Sequence, residues 1–225
     1  LILFLASCLT FIPLLSGCID SDDDVETETV SGKVAQEYVD NATVFWDKNS
    51  NLKLDANERS VKTEENGDFT IKVPKHNVGG QLIAVNNGTV GDSKKQSLTM
   101  TAPKDADNIT SVTTMATFIP DLKDKIGENW DADIASDEGV EGKVLQLALS
   151  AETLQYALDG LNLNSSAQLS MMSEFGQNLN DKDLENTYQI VNAVNSTLND
   201  QFSGATQKVL RENVIDRVKN ICENA

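Results

Sequence analysis

The chain has 225 residues, with 35 Asp and Glu against 18 Lys and Arg, a formal net charge of −17 and a single histidine. That acid excess repels phosphate backbones and anionic lipid headgroups, which excludes nucleic acid as a partner. With one histidine, His76, and no Gly-x-Ser-x-Gly, His-Glu-x-x-His or glycine-rich phosphate loop, the common serine-hydrolase, zinc-protease and nucleotide chemistries have no motif to stand on.

Residues 1–15 carry no charge, the texture of a signal-peptide apolar core, and they are too few to span a bilayer comfortably. They close on Leu15-Ser16-Gly17-Cys18, a lipobox, in which two small residues suit a narrow peptidase site and the Cys18 thiol follows to receive diacylglycerol. Leu5-Ala6-Ser7-Cys8 fits the same short pattern, but more apolar chain follows it, whereas Ile19-Asp20-Ser21-Asp22-Asp23-Asp24 after Cys18 is a polar tether. No start Met or basic segment precedes the run, so it is read as a leader cut short at its front. The segment resembles the leaders of bacterial lipoproteins. That resemblance implies a signal peptide over 1–17, covalent lipid at Cys18, an acidic tether over 18–28, and a place in the bacterial cell envelope. Ile19, rather than Asp, follows the cysteine, which by the same resemblance favours the outer membrane. Several acyl chains at about 0.8 kcal/mol per buried CH₂ would make such an anchor stable.

From Thr29 to about Ala102 the pattern has a period of two. Val30–Val34, Ala42–Trp46, Asp68–Val73, Gln81–Val85 and Gln96–Met100 are short alternating or β-branched runs, and these predict strands. Asn66-Gly67 and Asn87-Gly88 stand where tight turns of positive φ belong, and Gly79-Gly80 marks another break. The segment 29–103 reads as a small antiparallel β-sandwich.

Beyond it the period changes to three and four. A first helix ends near Gly127. Val144, Leu145, Leu147, Ala148, Leu149, Leu154, Ala157 and Leu158 mark another helix. Leu184, Tyr188, Val191, Val194 and Leu198 mark a third, opened by Asp181-Lys182-Asp183. Val209, Leu210, Val214, Ile215 and Val218 face inward on the last, which runs from Ala205 to Cys222. The fold class is therefore α+β, an N-terminal antiparallel β-sandwich followed by a helical domain of about four helices over 104–225. Asp131, Asp133, Asp137 and Glu138 read as a solvated, N-capping linker rather than a metal site. Cys222 has no partner once Cys8 is removed and Cys18 is lipidated, so it reads as an inert apolar residue of the last helix.

One constellation carries chemistry. Asp47-Lys48-Asn49-Ser50-Asn51-Leu52-Lys53-Leu54-Asp55-Ala56-Asn57-Glu58 puts oxygen side chains at positions one, three, five, nine and twelve, the ligand spacing of a twelve-residue calcium loop. Asp47, Asn49, Asn51, the Lys53 carbonyl, Asp55 and Glu58 would supply the oxygens, and Leu54 the apolar anchor. Leu52 stands where glycine usually permits the sharp turn, and Lys48 and Lys53 add positive charge, so the expected site is weak, with a dissociation constant of about 10⁻⁴ to 10⁻³ M. The same residues also read as an Asn/Asp-rich hairpin loop without metal.

Gly32-Lys33-Val34, Asn41 to Asp47, the loop ending at Glu58 and Thr63-Glu64-Glu65-Asn66-Gly67-Asp68-Phe69 together resemble the carboxypeptidase-regulatory-like, transthyretin-like modules of bacterial surface proteins. They also resemble the calcium-binding B-type repeats of adhesins. Ile109-Thr110-Ser111-Val112-Thr113-Thr114-Met115 resembles the segment that follows such modules in some envelope lipoproteins and begins their helical part. The resemblance implies surface display, attachment or assembly, and carries no catalytic residue across. It implies a non-catalytic binding or adhesion module whose partner is an envelope or extracellular protein or glycan. Two other readings stay open: a hydrolase of surface polysaccharide or peptide that uses carboxylates gathered in a cleft between the two halves, and a structural subunit of a surface assembly.

Overall fold

Phe69, Ile71 and Val73 are buried while Thr70 and Lys72 between them are exposed, a period of two that gives the strand its inner face. In the computed structural model, which describes residues 26–76, 80–85, 87–91, 95–135, 140, 142–159, 164–180, 184, 186, 188–201 and 205–224, this strand is β5 (Asp68–Pro74). The lipobox, Cys18 and most of the tether lie outside the described residues. β1 (Thr27–Val34) runs antiparallel to β5 from Thr27 opposite Pro74 to Lys33 opposite Asp68, with Lys33 and Asp68 forming an ion pair at 2.7 Å. The chain turns into β5 at Gly67, whose φ of 80° sits in the left-handed region, as the Asn66-Gly67 pair predicts.

The second sheet orders its strands β4 (Ser60–Lys62), β3 (Thr43–Asp47), β6 (Gln81–Ala84) and β9 (Met100–Ala102), antiparallel throughout. Here β3 and β6 read as continuous apolar runs because both of their faces are covered. Val44, Trp46, Leu82 and Ala84 join Phe69, Ile71 and Val73 in one core, while Phe45 and Ile83, on the alternate positions, are buried as well. Each such large side chain stabilises the fold by roughly 1.5–3 kcal/mol through burial. A third, small sheet joins β2 (Val39–Asp40), β7 (Thr89–Val90) and β8 (Lys95–Gln96).

Two strand expectations are corrected. The run 96–100 is two pieces: β8 pairs with β7 and β9 with β6. Between them the amide of Ser97 donates to the Gly88 carbonyl at 3.0 Å and that of Leu98 to Gln36 Oε1 at 3.1 Å. The crossing between sheets thus satisfies its backbone without a ladder. Gly88 lies outside the positive-φ region and is instead a close approach, where a Cβ would come within 2.6 Å of Val39 Cγ1.

β10 (Asn108–Ile109) adds a parallel edge to β1, so the β half is mixed rather than purely antiparallel. The approach needs Gly32, because a Cβ there would lie 1.8 Å from the Asp107 carbonyl oxygen. The chain then enters helix directly. Thr110 is the N-cap of α1 (Ser111–Phe118): Thr113 N donates to Thr110 Oγ1 at 3.1 Å and Thr110 N to Thr113 Oγ1 at 2.8 Å, a capping box built from two threonines.

The helix expected to end near Gly127 is two helices. Pro120 disfavours helical geometry in the residue before it, and Ile119 is extended at φ −126°, so α1 stops and α2 (Asp121–Ile126) restarts, closing on Gly127. The four long helices are α3 (Lys143–Asp159), α4 (Ser165–Asn180), α5 (Tyr188–Gln201) and α6 (Ala205–Asn224). Their core gathers Met115, Leu147, Leu154, Met172, Phe175, Leu198 and Val218, among others. Residues 181–183 lie outside the described residues, and α5 begins later than expected. Tyr188 is 63% and Val209 59% exposed, so neither joins the core: Tyr188 is the first residue of its helix, and α6 turns Val214 and Val218 inward instead. Cys222 is half-buried against this core, and burial pushes its thiol above the ordinary range. Among the described residues no helix is long and apolar enough to cross a membrane.

The two halves are bonded to each other. Thr101 N donates to Thr114 Oγ1 at 3.0 Å and Asp107 N to Asp131 Oδ2 at 3.0 Å. Asn108 Nδ2 reaches the Asp131 carbonyl at 2.9 Å, and Trp130 packs against both cores. Asp131 of the acidic stretch is thus a latch, and Asp133 Oδ1 closes a turn on Ala135 N at 3.1 Å; Asp137 and Glu138 lie outside the described residues.

Candidate functional site

The loop 47–58 leaves β3 at Asp47, which is fully buried beside its ladder partner Gln81. Its two carboxylate oxygens take the amides of Asn51 (3.1 Å) and Leu52 (2.8 Å), and Gln81 Nε2 lies 3.4 Å from Oδ2. Asn49 Oδ1 accepts from Asn51 N at 3.1 Å and Asn51 Oδ1 from Lys53 N at 2.8 Å, two successive side-chain-closed turns. Leu52 takes a φ of 62°, the conformation that glycine supplies at the sixth position of a calcium loop. The side chain is a poor choice for that geometry, yet the turn is made.

The far end closes on the near one. Asn49 and Asn51 both donate their side-chain amides to Asp55 Oδ2, at 2.9 and 2.8 Å. Glu58 spans the mouth, its Oε1 taking Lys48 N at 2.9 Å and its Oε2 taking Asp55 N at 3.0 Å. The loop therefore brings Asp47, Asn49, Asn51, Asp55 and Glu58 into one network, while no bond of the Lys53 carbonyl enters it. Leu54, expected as an apolar anchor, is 46% exposed.

In residue type and order the loop fits a hard cation. As folded, however, the carboxylates are joined through amides: among the described residues no three His, Cys, Asp or Glu side chains stand together as a metal site. A cation at Asp55 would have to exclude the two amide N–H donors now bound there.

A second feature lies where the halves meet. The corner after β1 places Gln36, Glu37 and Tyr38 in a tight turn with Glu37 at φ 65° and Tyr38 at φ 40°, conformations that cost a non-glycine residue on the order of 1 kcal/mol each. The corner is held from several sides: Leu98 N donates to Gln36 Oε1, Gly91 N to the Tyr38 carbonyl at 3.0 Å, and Tyr38 Oη to Asp133 Oδ2 at 3.2 Å. Gln36 is only 1% exposed.

The corner overhangs a cavity of about 1090 Å³. Its β wall carries Glu37, Asp40, Glu64 and Glu65; its α3 wall carries Glu152 with Leu145, Ala148 and Leu149. A second cavity of about 720 Å³ shares Glu37, Leu149 and Glu152 and continues between Tyr156 of α3 and Asn213 and Arg217 of α6. Glu152 retains some surface, but its carboxyl is enclosed by protein, and burial, with the Glu37 carboxylate adding to it, pushes its pKa up to about 8.

No family model, curated protein or solved structure matches this chain.

A cleft lined by carboxylates lies between the halves, and Glu152 is the one of them with a shifted pKa; the sequence did not pick these residues. Glu152 had a signal: it follows Leu145 and Leu149 at helical spacing, an acid set in an apolar stripe.

Proposed function

We propose that this is a lipid-anchored, non-catalytic binding module of a bacterial envelope, attached at Cys18, favouring the outer membrane, with a calcium-stiffened loop at 47–58. The observation that carries the calcium part is Leu52 in the left-handed conformation at the sixth position, with Asp47, Asn49, Asn51, Asp55 and Glu58 drawn into one network about it. Calcium would bind the side-chain oxygens of that set and lock the end of β3 to the start of β4. The lipobox, the acidic tether and the missing catalytic motifs support the rest of the reading, and the cavity between the halves is the surface on which a protein or glycan partner would be recognised.

The test is a calcium titration of the protein lacking residues 1–18, following melting temperature and heat, with Asp47→Ala and Glu58→Ala alongside. Saturable stabilisation at sub-millimolar to millimolar calcium, absent from both variants, supports the site; no response up to several millimolar refutes it. Lipidation is read separately, by mass of the protein recovered from membranes with and without Cys18→Ala.

Glu152 beside Glu37 favours one further reading, a carboxylate-dependent hydrolase in which a protonated Glu152 donates to a leaving group. Turnover of envelope polysaccharide or peptide that disappears in Glu152→Gln would establish it.

A further inference from the structure

We propose that the larger cavity between the halves binds a primary alkylammonium group, either a free polyamine or a lysine side chain of a peptide, with its charge on the carboxylates and its methylene chain along α3. This deepens, and rests on, the reading of the protein as a binding module.

The cavity has two unlike walls. On one, four carboxylates come from the β half, Glu37 from the corner, Asp40 from β2, and Glu64 and Glu65 from the segment before β5; on the other, Leu145, Ala148 and Leu149 form an apolar strip with Glu152 at its end. Among the described residues no Lys or Arg lines this chamber. A ligand that satisfies both walls is a cation on an aliphatic stem, since a bare metal ion would leave the apolar strip unused and a neutral chain the carboxylates.

Glu152 is the independent sign of a missing partner. Its carboxyl is enclosed, lines both chambers, and among the described residues has no hydrogen bond or ion pair. Arg217, the basic side chain of the adjoining chamber, makes no ion pair with it. A buried acid without a cation stays protonated; a bound ammonium would favour its ionised form and release a proton. The titratable and charged groups facing it are Glu37, Asp40, Glu64 and Glu65 from the β half, Tyr38 from the corner, Tyr156 from its own helix and Arg217 from α6.

The experiment is isothermal titration of the protein with spermidine, with a short Gly-Lys-Lys-Gly peptide and with calcium chloride, in 150 mM salt at pH 6, 7 and 8, each in two buffers of different ionisation heat. The expected result is saturable binding of at least one amine, with proton release and an affinity that rises by up to about tenfold per pH unit below 8. Both features are lost in Glu152→Gln, with at least about a tenfold drop in affinity at pH 8. Glu37→Gln, at an exposed side chain, guards against misfolding of the first variant and weakens binding severalfold. Binding of spermidine alone assigns a free polyamine, and binding of the peptide as well assigns a lysine side chain. The proposal is overturned by no saturable amine binding up to 5 mM, by amine binding that Glu152→Gln and Glu37→Gln leave unchanged, or by amine heats that equimolar calcium matches and abolishes. No residue of the 47–58 loop lines either cavity, so failure here and failure of the calcium titration are separate results.

Discussion

Asp47 Oδ2 accepts the amide of Leu52 at 2.8 Å and so holds a leucine at φ 62°. A buried carboxylate at the end of a strand thereby fixes a backbone conformation five residues on, where the side chain would not choose it. Leu52→Gly is expected to change stability by less than about 0.5 kcal/mol, because relief of the left-handed strain offsets the added freedom of the unfolded chain. Leu52→Ile, β-branched at positive φ, is expected to cost about 1–2 kcal/mol. Urea denaturation of the two variants without calcium checks the pair, and equal costs would contradict the strain argument.

Glu152 gives stability a pH dependence whose sign is fixed. Its folded pKa, about 8, lies above its ordinary value of 4.5, so between those limits the folded state holds a proton that the unfolded state has lost. Stability falls as pH rises through this window, by at most about 1.4 kcal/mol per pH unit, and levels off above 8. The difference in denaturation midpoint between wild type and Glu152→Gln, followed from pH 4 to 9, reads this contribution apart from the other acids. A flat difference would show that the carboxyl ionises freely.

The reciprocal threonine cap of α1 predicts coupling. Thr110→Val removes the oxygen that caps Thr113 N, and Thr113→Val removes the one that caps Thr110 N as well as a donor to the Thr101 carbonyl at 3.2 Å. Each is expected to cost about 1–2 kcal/mol. The double variant should cost less than the sum, since either change breaks the same box.

Gly32→Ala tests the parallel edge. The obstacle is a backbone carbonyl, 1.8 Å from the would-be Cβ, so β10 must shift or leave; a loss of about 1–3 kcal/mol is expected. Amide exchange should report early loss of protection at Lys33 and Ala35, whose amides donate to Asn108 Oδ1 at 3.0 Å and to the Ile109 carbonyl at 3.0 Å.

The sequence made the two halves legible because each keeps its own texture over a long stretch: a period of two in β5, continuous apolar runs in β3 and β6, and a period of three to four in α3 to α6. The loop was legible for a local reason, since its donors are spaced within twelve residues and its turns are closed by its own side chains. Legibility failed where the determinant is remote. The run 96–100 alternates like one strand, yet Ser97 bonds to Gly88, outside the run, and Leu98 to Gln36, 62 positions away. The cavity was invisible for the same reason. Glu37, Asp40, Glu64, Glu65 and Glu152 are scattered along the chain, and only the docking of α3 beneath the corner at 35–38 makes them neighbours. Tyr188 and Val209 fitted the helical period but stand at positions that no other helix covers.

The place of β1 bears on what the protein would endure under the anchoring proposed above. It is the first strand among the described residues, and it is clasped on one edge by β5 through seven paired positions and on the other by β10. A pull on Thr27 along the axis of β1 would act across its hydrogen bonds, which must then slide together instead of parting one by one. Because β10 runs straight into the capped start of α1, the load passes to the helices as well. Were the chain anchored and loaded as proposed, the force would meet a shear clamp, not a zipper.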